Sequence, residues 1–354
     1  VFEDDLGTAR LRPAAEESLR FFERLPADRE FSFAGRRFRA EAYRDALARL
    51  VRFLRQDVSE DAVRRWVDRH FHVYPAGDGS RSGGVLYTGY YTPVLKGSRE
   101  PGPACPHPVY GRPDDLVTFT LSDFCDSCPP REAAGRYAGG RIVPYHSRRA
   151  IETGGVLAGV ARPVVFVADP VELFFLHVQG SGIVCLDDGT RIHLHYAASN
   201  GRPYRSIGRY LAESGKIAQK DLSMPAIRDY LRAHPDERDA ILARNPRYVF
   251  FKKEPGGPRG SLDVEVTPGR SIATDPGVYP PGILALIQSQ KPVTGSCGEI
   301  VEWRPFSRLV LNQDAGDAIR GPGRVDLFWG GGRYAEMAAG RMKHPGKLFV
   351  LLPK

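Results

Sequence analysis

Three aspartates carry the strongest chemical suggestion in this chain of 354 residues. Asp275 follows Ser271-Ile272-Ala273-Thr274 and precedes a run rich in Pro and Gly, from Pro276 to Gly282. Asp314 stands in Asn312-Gln313-Asp314-Ala315-Gly316, and Asp326 in Arg324-Val325-Asp326-Leu327-Phe328-Trp329-Gly330. The last two end or interrupt apolar β runs, where the structural use for a carboxylate is to cap a turn beside Gly. A carboxyl group placed in such surroundings can have its pKa shifted enough for general acid–base work.

The other constellations point to less. His193 and His195 lie two apart on one strand and face the same side, as a metal pair or as ordinary strand histidines, and the second reading is preferred. His70 and His72 are read the same way. There is no H-E-x-x-H and no G-x-S-x-G. Gly180-Ser181-Gly182 and Gly330-Gly331-Gly332 lack the Walker Lys and read as turns. The five cysteines (Cys105, Cys125, Cys128, Cys185 and Cys297) are an odd set. Cys125-Asp126-Ser127-Cys128 is a C-x-x-C within a Pro-rich loop, Ser122 to Pro130, and not at a helix start after a strand. Local loop chemistry is therefore preferred to a thioredoxin-like role. A disulfide or a zinc clip with Cys105 is open, but no second C-x-x-C completes a ligand set. No metal or cofactor is expected.

The elements that must position the aspartates change along the chain. The first seventy or so residues read as helices: Tyr43, Leu47, Leu50, Val51 and Leu54 recur at helical spacing, as do Val63, Trp66, Val67 and Phe71. Asp57 or Ser59 can cap the second of these. From Gly83 short β runs take over, with candidate strands at Val85–Leu95, Leu116–Leu121, Pro163–Val167 and Leu173–Val178. The clearest hairpin is Ile183–Leu186, the turn Asp187-Asp188-Gly189-Thr190, and Arg191–Tyr196. Helices follow: Ser206–Ser214 ending at Gly215, one opened by Ser223 and Pro225, and one bracketed by Pro235 and Pro246. Beyond Pro246 the chain reads as almost wholly β, at Tyr248–Lys252, Leu262–Val266, Ile283–Gln288, Leu309–Gln313, Val325–Trp329 and Leu348–Leu352. Many short strands without alternating helices argue for a barrel or sandwich. The Gly- and Pro-rich segment from Glu254 to Gly260 is a loop that could border a cleft.

Composition bounds the rest. The length favours two domains over one, at roughly 100–200 residues each. A hydrophobic share of 42% and a charged share of 26% are ordinary for a globular protein and exclude wholesale disorder. Fifty Lys and Arg against 42 Asp and Glu give a net charge of +8. That suits an acidic partner: nucleic acid, an anionic membrane surface or an acidic polymer. The arginines are scattered among acidic residues with no RNP-like aromatic motif, so nucleic acid is not expected. No stretch approaches 18 consecutive apolar residues, so no transmembrane helix is expected. The opening Val1-Phe2-Glu3-Asp4-Asp5 shows no signal peptide, and a first residue other than Met suggests processing.

With these segments in view, the chain resembles the MltA family of bacterial lytic murein transglycosylases, and Asp275 to Gly330 is similar to the "three-aspartate" (3D) domain, a double-psi β-barrel. Thr88-Gly89-Tyr90-Tyr91-Thr92-Pro93 resembles the family's G-Y-Y-x-P entry. Phe174-Phe175-Leu176-His177-Val178-Gln179-Gly180-Ser181-Gly182 resembles its F-F-x-x-V-Q-G-S-G. Tyr196-Ala197-Ala198-Ser199-Asn200-Gly201, with Tyr204-Arg205-Ser206-Ile207-Gly208, resembles its N-G-x-x-Y-x-S-I-G segment. Asn245-Pro246 and Val249-Phe250-Phe251-Lys252 continue the match, which spans roughly three quarters of the chain. Asp317 stands where the family typically has Gly, and the interval from Asp314 to Asp326 is one residue longer, implying a looser turn at Pro322-Gly323. The C-x-x-C loop is foreign to the pattern, and the family's lipid-attachment Cys is absent.

The resemblance implies a mainly β fold with N-terminal helices: a double-psi β-barrel domain plus an inserted second β-rich domain, with a groove between them. Residues 1–96 and 247–354 would form the scaffold and catalytic barrel, and residues 97–246 the insert. It implies cleavage of the β-1,4 bond from N-acetylmuramic acid to N-acetylglucosamine in peptidoglycan without water, giving 1,6-anhydro ends. Asp326 would be the single acid/base, Asp314 the neighbour that raises its pKa and steadies developing positive charge, and Asp275 a support that shapes the barrel loop. Thr88, Tyr90, Gln179, Ser181, Tyr196, Asn200 and Tyr204 would hold the glycan strand, although Tyr90 and Tyr91 alternate and only one of them can face it. No cofactor is implied. The setting would be the bacterial periplasm, at the outer membrane through an N-terminal lipid anchor that this sequence lacks, and a monomer is expected. The alternatives are a 3D-type glycoside hydrolase on the same scaffold and a non-catalytic peptidoglycan-binding module.

Overall fold

The computed structural model describes residues 3–76, 84–123, 125, 127–128, 132–295, 299–316 and 318–354. Asp317, Cys297, and Asp126 and Pro130 of the C-x-x-C loop lie outside the described residues. The chain divides into two compact units, Val1–Tyr91 with Arg259–Lys354, and Thr92–Pro258.

The first unit is a barrel with helices packed on it. Six strands close into a ring in the order Leu284–Thr294, Ile300–Asp314, Ser271–Ala273, Arg324–Gly331, Gly84–Thr92 and His344–Pro353, the last pairing back to the first. Phe71–Ala76 adds a strand to the outside of His344–Pro353. Along Gly84–Thr92 burial alternates residue by residue: Val85, Tyr87 and Tyr91 are in the core, while Thr88 and Tyr90 are half-buried on the other face. That period of two sets which side chains reach the open side of the sheet.

The helices Leu11–Glu23, Ala40–Leu54 and Glu60–His70 precede the barrel, as the apolar spacing requires. Ser59 rather than Asp57 caps the third, its hydroxyl accepting from Ala62 N–H at 3.3 Å. Tyr43 fastens the second helix to the barrel. Its ring stacks on Phe22 at 5.0 Å, while its buried hydroxyl donates to Leu351 O and accepts from Leu284 N–H, each at 2.7 Å.

The second unit is built on a six-stranded sheet in the order Val249–Lys253, Arg191–Ser199, Gly182–Leu186, Val94–Ser98, Pro163–Val167 and His107–Tyr110, with a three-stranded sheet of Val117–Thr120, Glu132–Ala138 and Arg141–Pro144. The hairpin expected at Asp187-Asp188-Gly189-Thr190 is present, with Cys185 opposite Arg191. The helices Ile207–Glu213, Met224–Ala233 and Pro235–Leu242 are also as expected, Ser206 and Ser223 capping the first two.

Two expected strands are absent. Leu173–Val178 belongs to a helix, Pro170–Gln179. Asp169 caps it through Val171 N–H at 2.7 Å, Pro170 occupies its first turn, and Gly180 ends it at φ 78°. Because Val171, Leu173, Phe174, Phe175, Leu176 and His177 are all buried, no polar face interrupts the apolar run, and such a run reads equally as strand or helix. Leu262–Val266 forms no strand: it is turn and bend with an isolated bridge between Arg259 and Glu265. The C-terminal β region also contains a helix, Arg333–Arg341, after Gly332 at φ 90°.

Candidate active site

The shortest strand of the barrel organises the site. Within Ser271–Ala273, Ala273 is paired on one side with Asp314 and on the other with Asp326. Residues directly opposite in a sheet point the same way, so both carboxyl groups are delivered to one face. A bulge adjusts the first of them. Ile272 pairs with Asn312 and Ala273 with Asp314, leaving Gln313 as the extra residue.

Gln313 is turned into the protein and fixed there. Its Nε2 donates to Ala14 O at 2.7 Å and Ser18 Oγ at 3.0 Å on the first helix, and its Oε1 accepts from Ser271 Oγ at 2.5 Å. Asn312 is equally bound: Oδ1 accepts from Thr274 Oγ1 and Nδ2 donates to Pro280 O, both at 2.9 Å. Asp314 therefore leaves a strand end whose preceding side chains cannot drift.

The two carboxyls are held differently. Asp314 Oδ1 accepts two backbone N–H groups, from Ser261 and Ala315, each at 2.8 Å. Burial still dominates and pushes its pKa up to about 6, against the lowering effect of those N–H groups and of Tyr90. Asp326 Oδ1 is buried and accepts no hydrogen bond. Burial is again the largest cause raising it to about 6. Thr88 and the Arg324 charge pull it down, and the Asp314 charge pushes it up.

Three more groups share this face. Arg324 is two residues before Asp326 on the same strand and so projects alongside it. Its Nη2 donates to Thr88 Oγ1 at 3.4 Å, and its Nε is buried without a hydrogen-bond partner. Tyr90 packs on Phe328 with ring centroids 5.0 Å apart. Its hydroxyl is buried beside both carboxyls without closing a hydrogen bond, and burial and then the two negative charges push it well above the usual phenol range. Unsatisfied buried polar atoms are rare in folded proteins. Here Asp326 Oδ1, Arg324 Nε and Tyr90 Oη lie on one face of adjacent strands, an arrangement suited to an incoming polar ligand.

Asp275 stands beside this cluster as a clamp. Its Oδ1 accepts from Gly277 N–H at 3.0 Å, its Oδ2 from Gly321 N–H at 2.7 Å, and Arg320 lies 3.9 Å away. It ties the loop after Ala273 to the loop between Asp314 and Asp326. Among the expected ligand residues, Thr88 and Tyr90 are with the carboxyls, whereas Gln179, Ser181, Tyr196, Asn200 and Tyr204 belong to the second unit. There, Tyr196 is 41% exposed. Asn200 is fully buried and its amide is used up: Nδ2 donates to His146 O and Pro246 O at 2.8 Å, and Oδ1 accepts from Tyr248 N–H at 2.9 Å and Arg202 N–H at 3.3 Å. It braces its loop and offers no free atom to a ligand. His195 is likewise a buried strand histidine, its Nε2 3.2 Å from Glu254 O.

Two contributors escape a reading of the sequence by residue type. Arg324 could have been found from its i−2 spacing to Asp326 on a strand. Ser261 acts through its backbone N–H, which leaves no trace in residue type. Gly260 before it is the visible sign, since a Cβ there would collide with the carbonyl oxygen of Gln313.

Comparison with known proteins gives the family of the chain. A family model described as the MltA specific insert domain matches residues 86–252, and one for the 3D domain matches residues 270–352. Membrane-bound lytic murein transglycosylase A of Vibrio cholerae is 33% identical over 282 residues, 78% of this chain and 67% of the relative. The chain thus spans about two thirds of the length of the curated relatives it matches. Among solved structures, a membrane-bound lytic murein transglycosylase from Agrobacterium tumefaciens superposes with a TM-score of 0.82 at 29% identity, covering 99% of this chain and 93% of that one. MltA of Escherichia coli with bound chitohexaose gives a TM-score of 0.66 at 25% identity, covering 88% and 83%. The order of motifs, the paired aspartates and these likenesses agree: the chain belongs to the MltA family of lytic murein transglycosylases, with a C-terminal 3D domain.

Proposed function

We propose that this chain is a peptidoglycan lytic transglycosylase in which Asp326 is the single acid/base. The observation that carries the reading is the contrast between the two carboxyls. Burial raises both carboxyls to about 6, but Asp314 Oδ1 is already bound by two N–H groups, whereas Asp326 keeps a buried oxygen with no partner. Asp326 in its protonated form gives its proton to the glycosidic oxygen as the bond to the muramic C1 breaks. As carboxylate it then takes the proton from that sugar's own 6-hydroxyl, which attacks C1 and closes the 1,6-anhydro ring. The attack is intramolecular, so no water has to be activated and no second free carboxylate is needed. A two-carboxylate hydrolase needs one.

Asp314 contributes negative charge that raises the pKa of Asp326 and favours the oxocarbenium-like state. Thr88 and Tyr90 are the glycan contacts on the barrel; Gln179, Ser181, Tyr196 and Tyr204 are those of the other unit. The net charge of +8 favours a polymer bearing acidic stem peptides. The names of the membrane-bound relatives support a membrane-associated setting, and the reading places the chain in the periplasm at the outer membrane.

The test is mass spectrometry of soluble products from purified murein sacculi, with Asp326→Asn in parallel. Products ending in 1,6-anhydromuramic acid, absent with the variant, are expected. Reducing-end products would make the chain a hydrolase, and binding without release would make it a recognition module.

A further inference from the structure

The C-x-x-C turn is left unused by the glycan chemistry. We propose that Cys125 and Cys128 form a dithiol that exchanges with low-molecular-weight disulfides and closes to a disulfide within the turn. Cys128 N–H donates to Cys125 O at 3.0 Å. A hydrogen bond from an N–H to the carbonyl three residues before it goes with Cα atoms within about 7 Å of each other, and disulfides span about 4.4–6.8 Å between Cα atoms. The backbone is thus already close to the bridged geometry.

Both cysteines are free thiols and only half-buried, so a small reagent can reach them. Their loop spans Val117–Thr120 and Glu132–Ala138, whose pairing of Thr120 with Glu132 fixes its base. The catalytic aspartates belong to the other unit, so the exchange chemistry uses none of their groups.

The two sulfurs are unequal. Cys125 Sγ is hydrogen-bonded to Ser127 Oγ at 3.0 Å. The Cys128 thiol and then Ser127 bring Cys125 down to about 7, while the same thiol–thiol contact pushes Cys128 up. Cys125 is therefore the attacking thiolate and Cys128 the resolving thiol. Cys125 Sγ attacks one sulfur of the reagent disulfide, breaking the reagent S–S bond and releasing one thiolate. Cys128 then loses its proton and attacks Cys125 Sγ, expelling the second reagent thiol. The protein pair is oxidised by two electrons and the reagent disulfide is reduced to two thiols.

The test incubates the full chain with oxidised glutathione near neutral pH, followed by peptide mapping under non-reducing conditions. In the wild-type chain the peptide holding both cysteines should lose two hydrogens and retain no glutathione. Cys128→Ser should trap one glutathione on Cys125. Cys125→Ser should react at Cys128 about tenfold more slowly. Stable glutathione on the wild-type pair, faster reaction at Cys128 than at Cys125, or a pair that stays reduced while added free cysteine is oxidised would each overturn the proposal.

Discussion

Asp326 is costly to the fold at the pH where most proteins are comfortable. Its folded pKa of about 6 lies above the ordinary 3.8, so the native state holds its proton longer than the unfolded chain does. The stability linked to this group is complete below about pH 4. It declines as pH rises through about 6 and stays low above that. Asp326→Asn removes the ionisation, so it should raise stability above pH 7 by about 1–3 kcal/mol while lowering activity about a thousandfold or more. Thermal melting of both proteins at pH 4.5 and 7.5 tests this: the gain should appear at 7.5 and shrink at 4.5. The same acid must begin each turnover protonated, so kcat/KM should fall as pH rises through about 6. Two neighbours tune that limb in opposite directions. Arg324→Gln removes a charge that lowers Asp326 and should move the limb up, whereas Asp314→Asn removes one that raises it and should move the limb down. Each shift should be about one pH unit, smaller than the effect of burial. Limbs that stayed at the wild-type position in both variants would mean that neither charge is sensed by Asp326.

The elements matter because they hold those residues in place through contacts that residue type does not reveal. The loop ending in Gly260-Ser261 is one case. Ser261 N–H reaches Asp314 only because the chain passes against the Gln313 carbonyl, where a Cβ on Gly260 has no room and would also meet Val266 Cγ1 at 3.0 Å. Gly260→Ala should cost about 1–3 kcal/mol of stability and cut kcat more than it raises KM, since it disturbs the partner of the acid and not the glycan contacts. Denaturant unfolding and steady-state kinetics on soluble murein fragments would check both halves. Much of this frame was legible beforehand. The helices of the first seventy residues, the hairpin at Gly189 and the capped helices after Ser206 and Ser223 all carry local signals of period, cap or turn, whereas the choice of Asp314 and Asp326 as partners rests on the family resemblance. What was not legible was set by tertiary context. Leu173–Val178 is helical because burial on every side erased its period, and the Gln313 bulge that aims Asp314 depends on a helix from the far N-terminal part of the chain. Arg324 was visible as a residue but not as a neighbour, since its role follows only once Arg324–Gly331 is known to present alternate residues to the site.

At the scale of the whole molecule, the barrel unit is assembled from both ends of the chain, and the unit of Thr92–Pro258 is continuous in sequence. His344–Pro353 pairs with Leu284–Thr294, Gly84–Thr92 and Phe71–Ala76, so one C-terminal strand both closes the ring and anchors its extra strand. Its Leu348, Val350, Leu351 and Leu352 are buried, and Tyr43 on the second helix donates to Leu351 O. Contacts between such distant segments carry a larger loop-closure cost than contacts within the continuous unit. That unit has cores of its own: Leu95, Val109, Val165, Val184, Leu194 and Phe251 in one cluster, and Phe174, Phe175, Leu211, Leu231 and Ile241 in another. Removing residues 344–354 should therefore open the barrel and abolish murein cleavage without unfolding the continuous unit. Limited proteolysis of the shortened chain should leave a resistant fragment close to residues 92–258, and the same digestion of the full chain should leave both units. If the shortened chain were digested throughout at one rate, the continuous unit would depend on the barrel for its stability. If it resisted digestion as the full chain does, the closing strand would not be what holds the ring.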